Sequence, residues 1–411
     1  MRSRFSKRYL KTALLISALS LAGCAAKPLP IENTKWATHL GDFARTGVSA
    51  SKIDVPLVIG WDKGLSEFRF LNPFPGEELS SPAIRNGRVY AGSTGRELFA
   101  ADLATGKVFW KFDAKQPIEA PPTVADDRVC FGTTDGVMRC LSLEGRLLWQ
   151  FQARSEIVSA PVVKDSRVVF ASSDDRLYSL DANTGERLWT YSRGTYKTVT
   201  HRVYASPALS DNGSLFYLFS DGTAVCVSAS TGKEVWSRKV VKEFAAQALP
   251  RRSPLVDSGT VYIIDGNQAV VALSELTGEV KGIYNVIKAS GFVVPDTRSI
   301  IIAGEGQVMS IERSTGAVIW KSPLSHGAAS SVFSTGSSIF VLSNFKKTPL
   351  GISYFAKDTG YIESFSLQDG KRTWGRELGS SVTADASAAI GRVALLTNGG
   401  KLTVFEPGQA P

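Results

Sequence analysis

The sequence predicts an all-β fold: an eight-bladed β-propeller of four-stranded antiparallel blades, closed by an N-terminal strand. Three observations predict it. A turn glycine followed by a tryptophan recurs along the chain, as in Ser179-Leu180-Asp181-Ala182-Asn183-Thr184-Gly185-Glu186-Arg187-Leu188-Trp189. Successive turn glycines lie 38 to 54 residues apart, enough for four short strands. A small-residue and proline phrase returns upstream, as Ser81-Pro82-Ala83, Ala120-Pro121-Pro122, Ala160-Pro161, Ser206-Pro207-Ala208 and Ser253-Pro254.

Each piece has a physical reason. The glycine stands at a hairpin tip, where positive φ is taken without a Cβ clash. The tryptophan that follows falls on the outermost strand, where a large flat ring fills the wedge between blades. Further copies pair Gly106 with Trp110, Gly145 with Trp149, Gly232 with Trp236, Gly316 with Trp320 and Gly370 with Trp374. In a worn copy, Gly278 is followed by Gly282 where the tryptophan belongs. Proline lacks a backbone donor and suits the first residue of a strand, so its phrase marks the start of the innermost strand.

Taken in order, the chain opens with a leader. Arg2, Arg4, Lys7, Arg8 and Lys11 precede the apolar run Ala13 to Ala22, which is too short to span a bilayer as a helix. The run ends Leu21-Ala22-Gly23-Cys24, which resembles a bacterial lipobox with Cys24 as the lipidated new N-terminus. Residues 1–23 then read as a signal peptide and 24–54 as tether and lead-in. The propeller follows over 55–407. With no aspartate after Cys24, the address is the outer membrane, with the protein lipid-anchored and facing the periplasm. The leader holds five of the 47 basic residues, leaving a net +4 against 38 acidic ones. Nothing in that balance asks for nucleic acid.

The segment Trp36-Ala37-Thr38-His39-Leu40-Gly41-Asp42-Phe43-Ala44-Arg45-Thr46-Gly47 is expected to lie against the ring before the strand at Trp61 closes it. Seven complete units run from about Ser80 to Glu377. The eighth has three strands, and Leu57 to Asp62 supplies its fourth, which removes an exposed sheet edge. Cys130 and Cys140 flank a tight turn and should stand opposite one another. A disulfide and two buried thiols are both open readings there. Cys226 reads as a buried single thiol.

Three connections are longer than a propeller needs: 192–204 into blade 4, 240–252 into blade 5, and 345–357 within blade 7. A four-stranded meander puts all three on one face. Long loops on a rigid scaffold carry binding in many proteins, and tolerated insertion is the alternative.

With lipobox, repeat and blade count together, the chain resembles the BamB family of outer-membrane assembly lipoproteins, a PQQ-like-repeat propeller family. The resemblance implies a non-catalytic scaffold without cofactor. It would be a monomer within a hetero-complex, bound to the periplasmic domains of the barrel-assembly outer-membrane subunit. It also implies a partner-contacting Leu-x-Leu-Arg phrase before blade 4. Here that phrase reads Val199-Thr200-His201-Arg202: Arg202 matches, Val199 is a near match and His201 departs. Where the family has aspartates before blade 5, Arg251 and Arg252 reverse the charge.

Two other classes compete: a periplasmic propeller that binds another protein or ligand, and a quinoprotein dehydrogenase on the same fold. The dehydrogenases resemble this chain in their tryptophan repeats but need an adjacent cysteine pair, which is absent here. His39, His201 and His326 are scattered without metal-ligand spacing, and no P-loop or nucleophile elbow occurs. No catalytic or metal residue is assigned. The lipobox yields the first prediction. Several acyl chains at about 0.8 kcal/mol per buried methylene hold firmly, so Cys24→Ala should move the protein from the membrane to the soluble fraction on cell fractionation. Retention in the membrane would refute the anchor.

Overall fold

The computed structural model describes residues 35–65, 77–193, 204–241, 253–348 and 356–408. Eight antiparallel sheets follow one another as blades. Blade 1 runs outward through Ala83–Arg85, Arg88–Gly92, Glu97–Asp102 and Val108–Asp113. Blades 2 to 7 repeat the plan. Blade 8 takes Ser387–Ala389, Arg392–Thr397 and Lys401–Pro407 from the C-terminal end and closes on Leu57–Gly64. The prolines of the recurring phrase stand immediately before the innermost strands.

The seams show why glycine and tryptophan recur together. Six of the indoles lie on the turn glycine of the next blade. A Cβ on Gly106, Gly145, Gly185, Gly232, Gly278 or Gly370 would come within 2.4–2.7 Å of the ring of Trp61, Trp110, Trp149, Trp189, Trp236 or Trp320 respectively. Positive φ alone would admit asparagine, whereas the ring overhead leaves only hydrogen. The Nε1 of each of these six also donates across the seam to a turn carbonyl, as from Trp149 to Ala182 at 2.7 Å and from Trp236 to Glu275 at 2.9 Å.

Around the channel, the small residues of the proline phrase tie blade to blade. Ser80 donates to Ala120 O and Thr123 to Pro161 O. Ser206 Oγ accepts from the Ala160 amide, and Ser253 Oγ from the Ser206 amide. Ser81 Oγ accepts from the Asp385 amide, which carries the tie across the closure.

Cys130 and Cys140 are register partners on adjacent strands of blade 2 and are joined as a disulfide. Cys226 pairs with Phe216 and is buried as a free thiol, its pKa pushed up to about 11 by burial. One expectation changes form. The excess in blade 7 is partly strand: Ser338–Lys347 and Lys357–Ser366 pair over their whole length, so Phe345, Lys346 and Lys347 form a β-arm with Thr359, Asp358 and Lys357.

The seams separate two contributions to glycine's role. Gly185 and Gly316 share positive φ, 75° and 73°, but only Gly185 lies under an indole. Gly316 has nothing within 4 Å of an added Cβ. Alanine at either should cost about 1–2 kcal/mol in backbone strain. Gly185→Ala should lose about 1–3 kcal/mol more through overpacking, read as a lower urea midpoint. Equal losses would show that the indole does not select the glycine.

Candidate partner face and the filled channel

The two faces of the ring differ. On one, the connections from outermost to innermost strand meet the second turn of each blade, as in the bonds of Ile157 N to Thr133 O and Val241 N to Gly222 O. The described ends of the long connections, such as Val241, lie on this face. Val199, His201 and Arg202 and also Arg251 and Arg252 lie outside the described residues, as does Cys24.

The described rim around the first loop is acidic and ordered by neighbours. Asp175 accepts from the Ser220 amide at 3.0 Å and from the Ser220 hydroxyl, which links blades 3 and 4. Asp174 accepts from Arg176 at 2.8 Å and from the Tyr178 hydroxyl. Asp221 lies 3.9 Å from the Arg193 guanidinium and accepts from the Thr223 amide. In blade 7, the His326 ring stacks on Phe345 at 4.5 Å and meets Tyr361 edge-on at 4.6 Å. The buried Glu363 carboxylate beneath them accepts from Ser325 and pairs with Arg372 at 3.0 Å.

From the opposite face, the lead-in segment enters the channel. The sequence places it against the ring, and the structure puts it inside. Lys35–Trp36 pairs with the innermost strand of blade 1, and Val48–Ser49 runs parallel to that of blade 7. Between them the segment meets blades 2, 4 and 5: Val124 N donates to Ala37 O, Leu209 N to Phe43 O and Val256 N to Ala44 O.

Arg45 is fully buried at the centre of this arrangement. Its Nε donates to Pro207 O at 3.0 Å, and its Nη2 to Ala160 O at 3.3 Å. Its Nη1 donates to Thr38 Oγ1 at 2.8 Å and His39 O at 2.9 Å. Thr38 continues the network to Thr123 at 2.7 Å. Desolvation lowers the Arg45 pKa to about 9, so it remains a cation at neutral pH. Burial raises the Asp42 carboxyl against the bonds from Thr46 and the attraction of Arg45. His39 Nδ1 stands 3.5 Å from Asp385 of blade 8. A void of about 20 Å³ remains beside Arg45, His39 and Asp385, room for about one water.

A hidden arginine among hydrogen-bond acceptors carries no periodic signal, so sequence reasoning missed Arg45. The available clue was a cation beside Asp42 in a lead-in with no apolar stripe.

The sequence profile of the family described as outer membrane protein assembly factor BamB matches residues 59–155, 138–300 and 281–409. The chain belongs to this family. A curated relative of that name from Yersinia pestis is 25% identical over 242 residues, 56% of this chain and 58% of its own length. One from Nitrosomonas eutropha is 22% identical over 268 residues, 64% of this chain and 62% of its own length. The chain thus spans about three-fifths of these curated relatives. Among solved structures, BamB from Moraxella catarrhalis superposes with a TM-score of 0.67 at 16% identity, covering 85% of this chain and 100% of that one. A quinohemoprotein alcohol dehydrogenase from Comamonas testosteroni superposes at 0.70 with 13% identity, covering 92% and 82%. At these identities the superpositions show the fold.

The dehydrogenase likeness raises the question of a quinone seat. A planar cofactor in this channel would have to displace the Arg45 guanidinium and its bonds to two blades. The disulfide of blade 2 packs in the core against blade 3, away from any such seat. The residues present do not fit the group, and no step is derived through it.

Arg45 should hold the lead-in segment in place. Removing one partner of a buried charge network costs about 3–5 kcal/mol. Arg45→Ala should therefore leave the ring folded, as judged by circular dichroism, but make residues 35–51 cleavable under limited proteolysis that spares wild type. Equal resistance would mean the backbone pairings alone secure the segment.

Proposed function

We propose that this chain is a non-catalytic scaffold lipoprotein of the barrel-assembly machinery that supports the assembly and insertion of β-barrel proteins into the outer membrane. Residues 1–23 are a signal peptide, and Cys24 carries the lipid that holds the ring on the periplasmic side. The face with the long connections binds the periplasmic domains of the barrel-assembly subunit. Arg202 is the anchor, Val199 and His201 flank it, and Arg251 and Arg252 form a charged rim.

The observation that carries the reading is the family match over residues 59–409, joined to a channel already filled by the chain's own Arg45. A ring filled from within is suited to work through its surfaces. The acidic groups Asp174, Asp175 and Asp221 lie on the rim beside the first long connection. The arm of blade 7 adds Lys346, Lys347 and Lys357 to the same face.

An arginine combines bidentate pairing with stacking and is a frequent interface anchor. Truncating a buried one costs about 2 kcal/mol, close to thirtyfold in affinity. Arg202→Ala should weaken binding to the assembly subunit of the same organism by about that factor, with an unchanged melting temperature. Arg251→Asp should instead slow association and change its salt dependence. If Arg202→Ala binds as wild type does and Lys107→Glu on the opposite face does not, the partner face is the other one.

A further inference from the structure

One seam lacks its tryptophan. At the blade 5–6 seam, Gly282 occupies the tryptophan position. The register shows it: Tyr262, Ala272 and Gly282 form one cross-strand row, as do Tyr90, Ala100 and Trp110 in blade 1 and Phe216, Cys226 and Trp236 in blade 4. In those two rows the indole packs on the aromatic of the second strand, with centroids 6.0 and 5.9 Å apart. In blade 5 the row has no indole, and Tyr262 is buried under the Arg313 guanidinium, 5.5 Å from its ring, and beside Phe292 at 6.4 Å.

Part of the missing contact is replaced. Tyr284, two residues on, donates its hydroxyl to Arg313 O at 2.7 Å, the carbonyl corresponding to those that accept from indoles elsewhere. Its ring does not reach the turn glycine, and Gly316 has nothing within 4 Å of an added Cβ. Between the blades lies a cavity of about 340 Å³, within the range of small-ligand sites. Its walls include Tyr262, Ala272 and Tyr284 of blade 5 and Arg313 and Ser314 of blade 6.

The charges at its mouth are nearly balanced. Arg313 pairs with Asp257 at 2.8 Å and Arg298 with Glu312 at 4.0 Å. Lys281 donates to Gly259 O and Thr260 Oγ1, and among the described residues it has no carboxylate partner. The adjoining strand Val280–Tyr284 is an outer edge, paired among the described residues only with Val270–Ser274. Alongside the notch Leu276 is 75% exposed, Ile283 62% and Val280 48%. Sheet edges are ordinarily blunted by charge, and this strand carries only Lys281.

We propose that the seam between blades 5 and 6 is a receptor for an aromatic side chain carried next to an acidic residue on an extended segment of a partner polypeptide. The molecule itself states the ligand chemistry, because six equivalent seams are filled by a planar ring seated on a glycine. The ring enters over the uncovered Gly316 and lies against Tyr284. The neighbouring carboxylate meets Lys281, and the segment backbone pairs with the free edge of Val280–Tyr284, beside the exposed Val280 and Ile283. The inference does not depend on which complex the ring serves.

The test is amide NMR of the full soluble chain titrated with a capped, strand-forming hexapeptide containing Asp-Trp. Versions with Trp→Ala and with Asp→Lys serve as controls. Saturable shifts are expected at Gly316, Ile283 and Tyr284. The alanine peptide should bind at least about tenfold more weakly, and the lysine peptide severalfold more weakly at low salt. Gly282→Trp rebuilds the internal wedge, so it should abolish binding and raise the melting temperature. If that variant does not fold, Tyr284→Leu, which removes the phenol beside Gly316, should weaken binding instead. The proposal is overturned by shifts confined to another seam, by equal binding of the alanine peptide, by unchanged binding to Gly282→Trp, or by no saturation at millimolar peptide. Loss of the assembly subunit in Arg202→Ala would leave this result untouched, so the two readings fail separately.

Discussion

An indole laid on a glycine is the contact on which the ring depends. A propeller blade cannot bury both sheet faces alone, so each needs its neighbours. The tryptophan brings a large apolar surface to the widest part of the wedge. The next blade must present a surface flat enough to receive it, and only glycine does so. The Nε1 bond then fixes the ring's depth and orientation. Because donor and receiver lie on successive blades, each seam constrains the next. Closure of blade 8 by Leu57–Gly64 lets Trp61 dock on Gly106 and complete the circle.

The inner edge poses the opposite problem. Innermost strands have a partner on one side only, so their remaining amides and carbonyls face the channel. The lead-in segment answers this need blade by blade. It gives carbonyls to Val124, Leu209, Val256 and Ser334, and the Arg45 guanidinium donates to Ala160 and Pro207. A buried cation is a poor source of stability by itself. Here its donors meet backbone acceptors from two blades and from the lead-in, which makes Arg45 a reporter of correct assembly.

These two constraints were not equally legible. Turn, tryptophan and proline recur at a blade period, so the blade count and closing strand could be read from local patterns. Cys130 and Cys140 could be placed opposite one another because a hairpin fixes register over short range. The channel filling had no such signal, since Trp36 to Gly47 has neither strand alternation nor a helical stripe and its partners are backbone atoms distant in sequence. The β-arm of blade 7 was hidden because Lys346, Lys347 and Lys357 read as a basic loop until their pairing is seen. Arg202 and its neighbours rest on a motif with one match and one departure, outside the described residues.

The worn repeat shows most about how sequence becomes function here. Gly282 reads as decay when the repeats are compared as letters. In three dimensions the seam is rebuilt differently: Tyr284 reaches the shared acceptor, and Arg313 covers part of Tyr262 with its guanidinium 5.5 Å from the ring. Arg313 also bonds the Tyr262 hydroxyl and pairs with Asp257, so the seam is held by polar contacts where the others are held by an indole. Polar contacts leave space that packed aromatics do not, because hydrogen bonds fix direction without filling volume. A ring constrained at its other seams, its inner edge and its closure can hold one such opening without losing its shape. The structural redundancy of the repeat is therefore what allows a single seam to be built from polar contacts without loss of the ring.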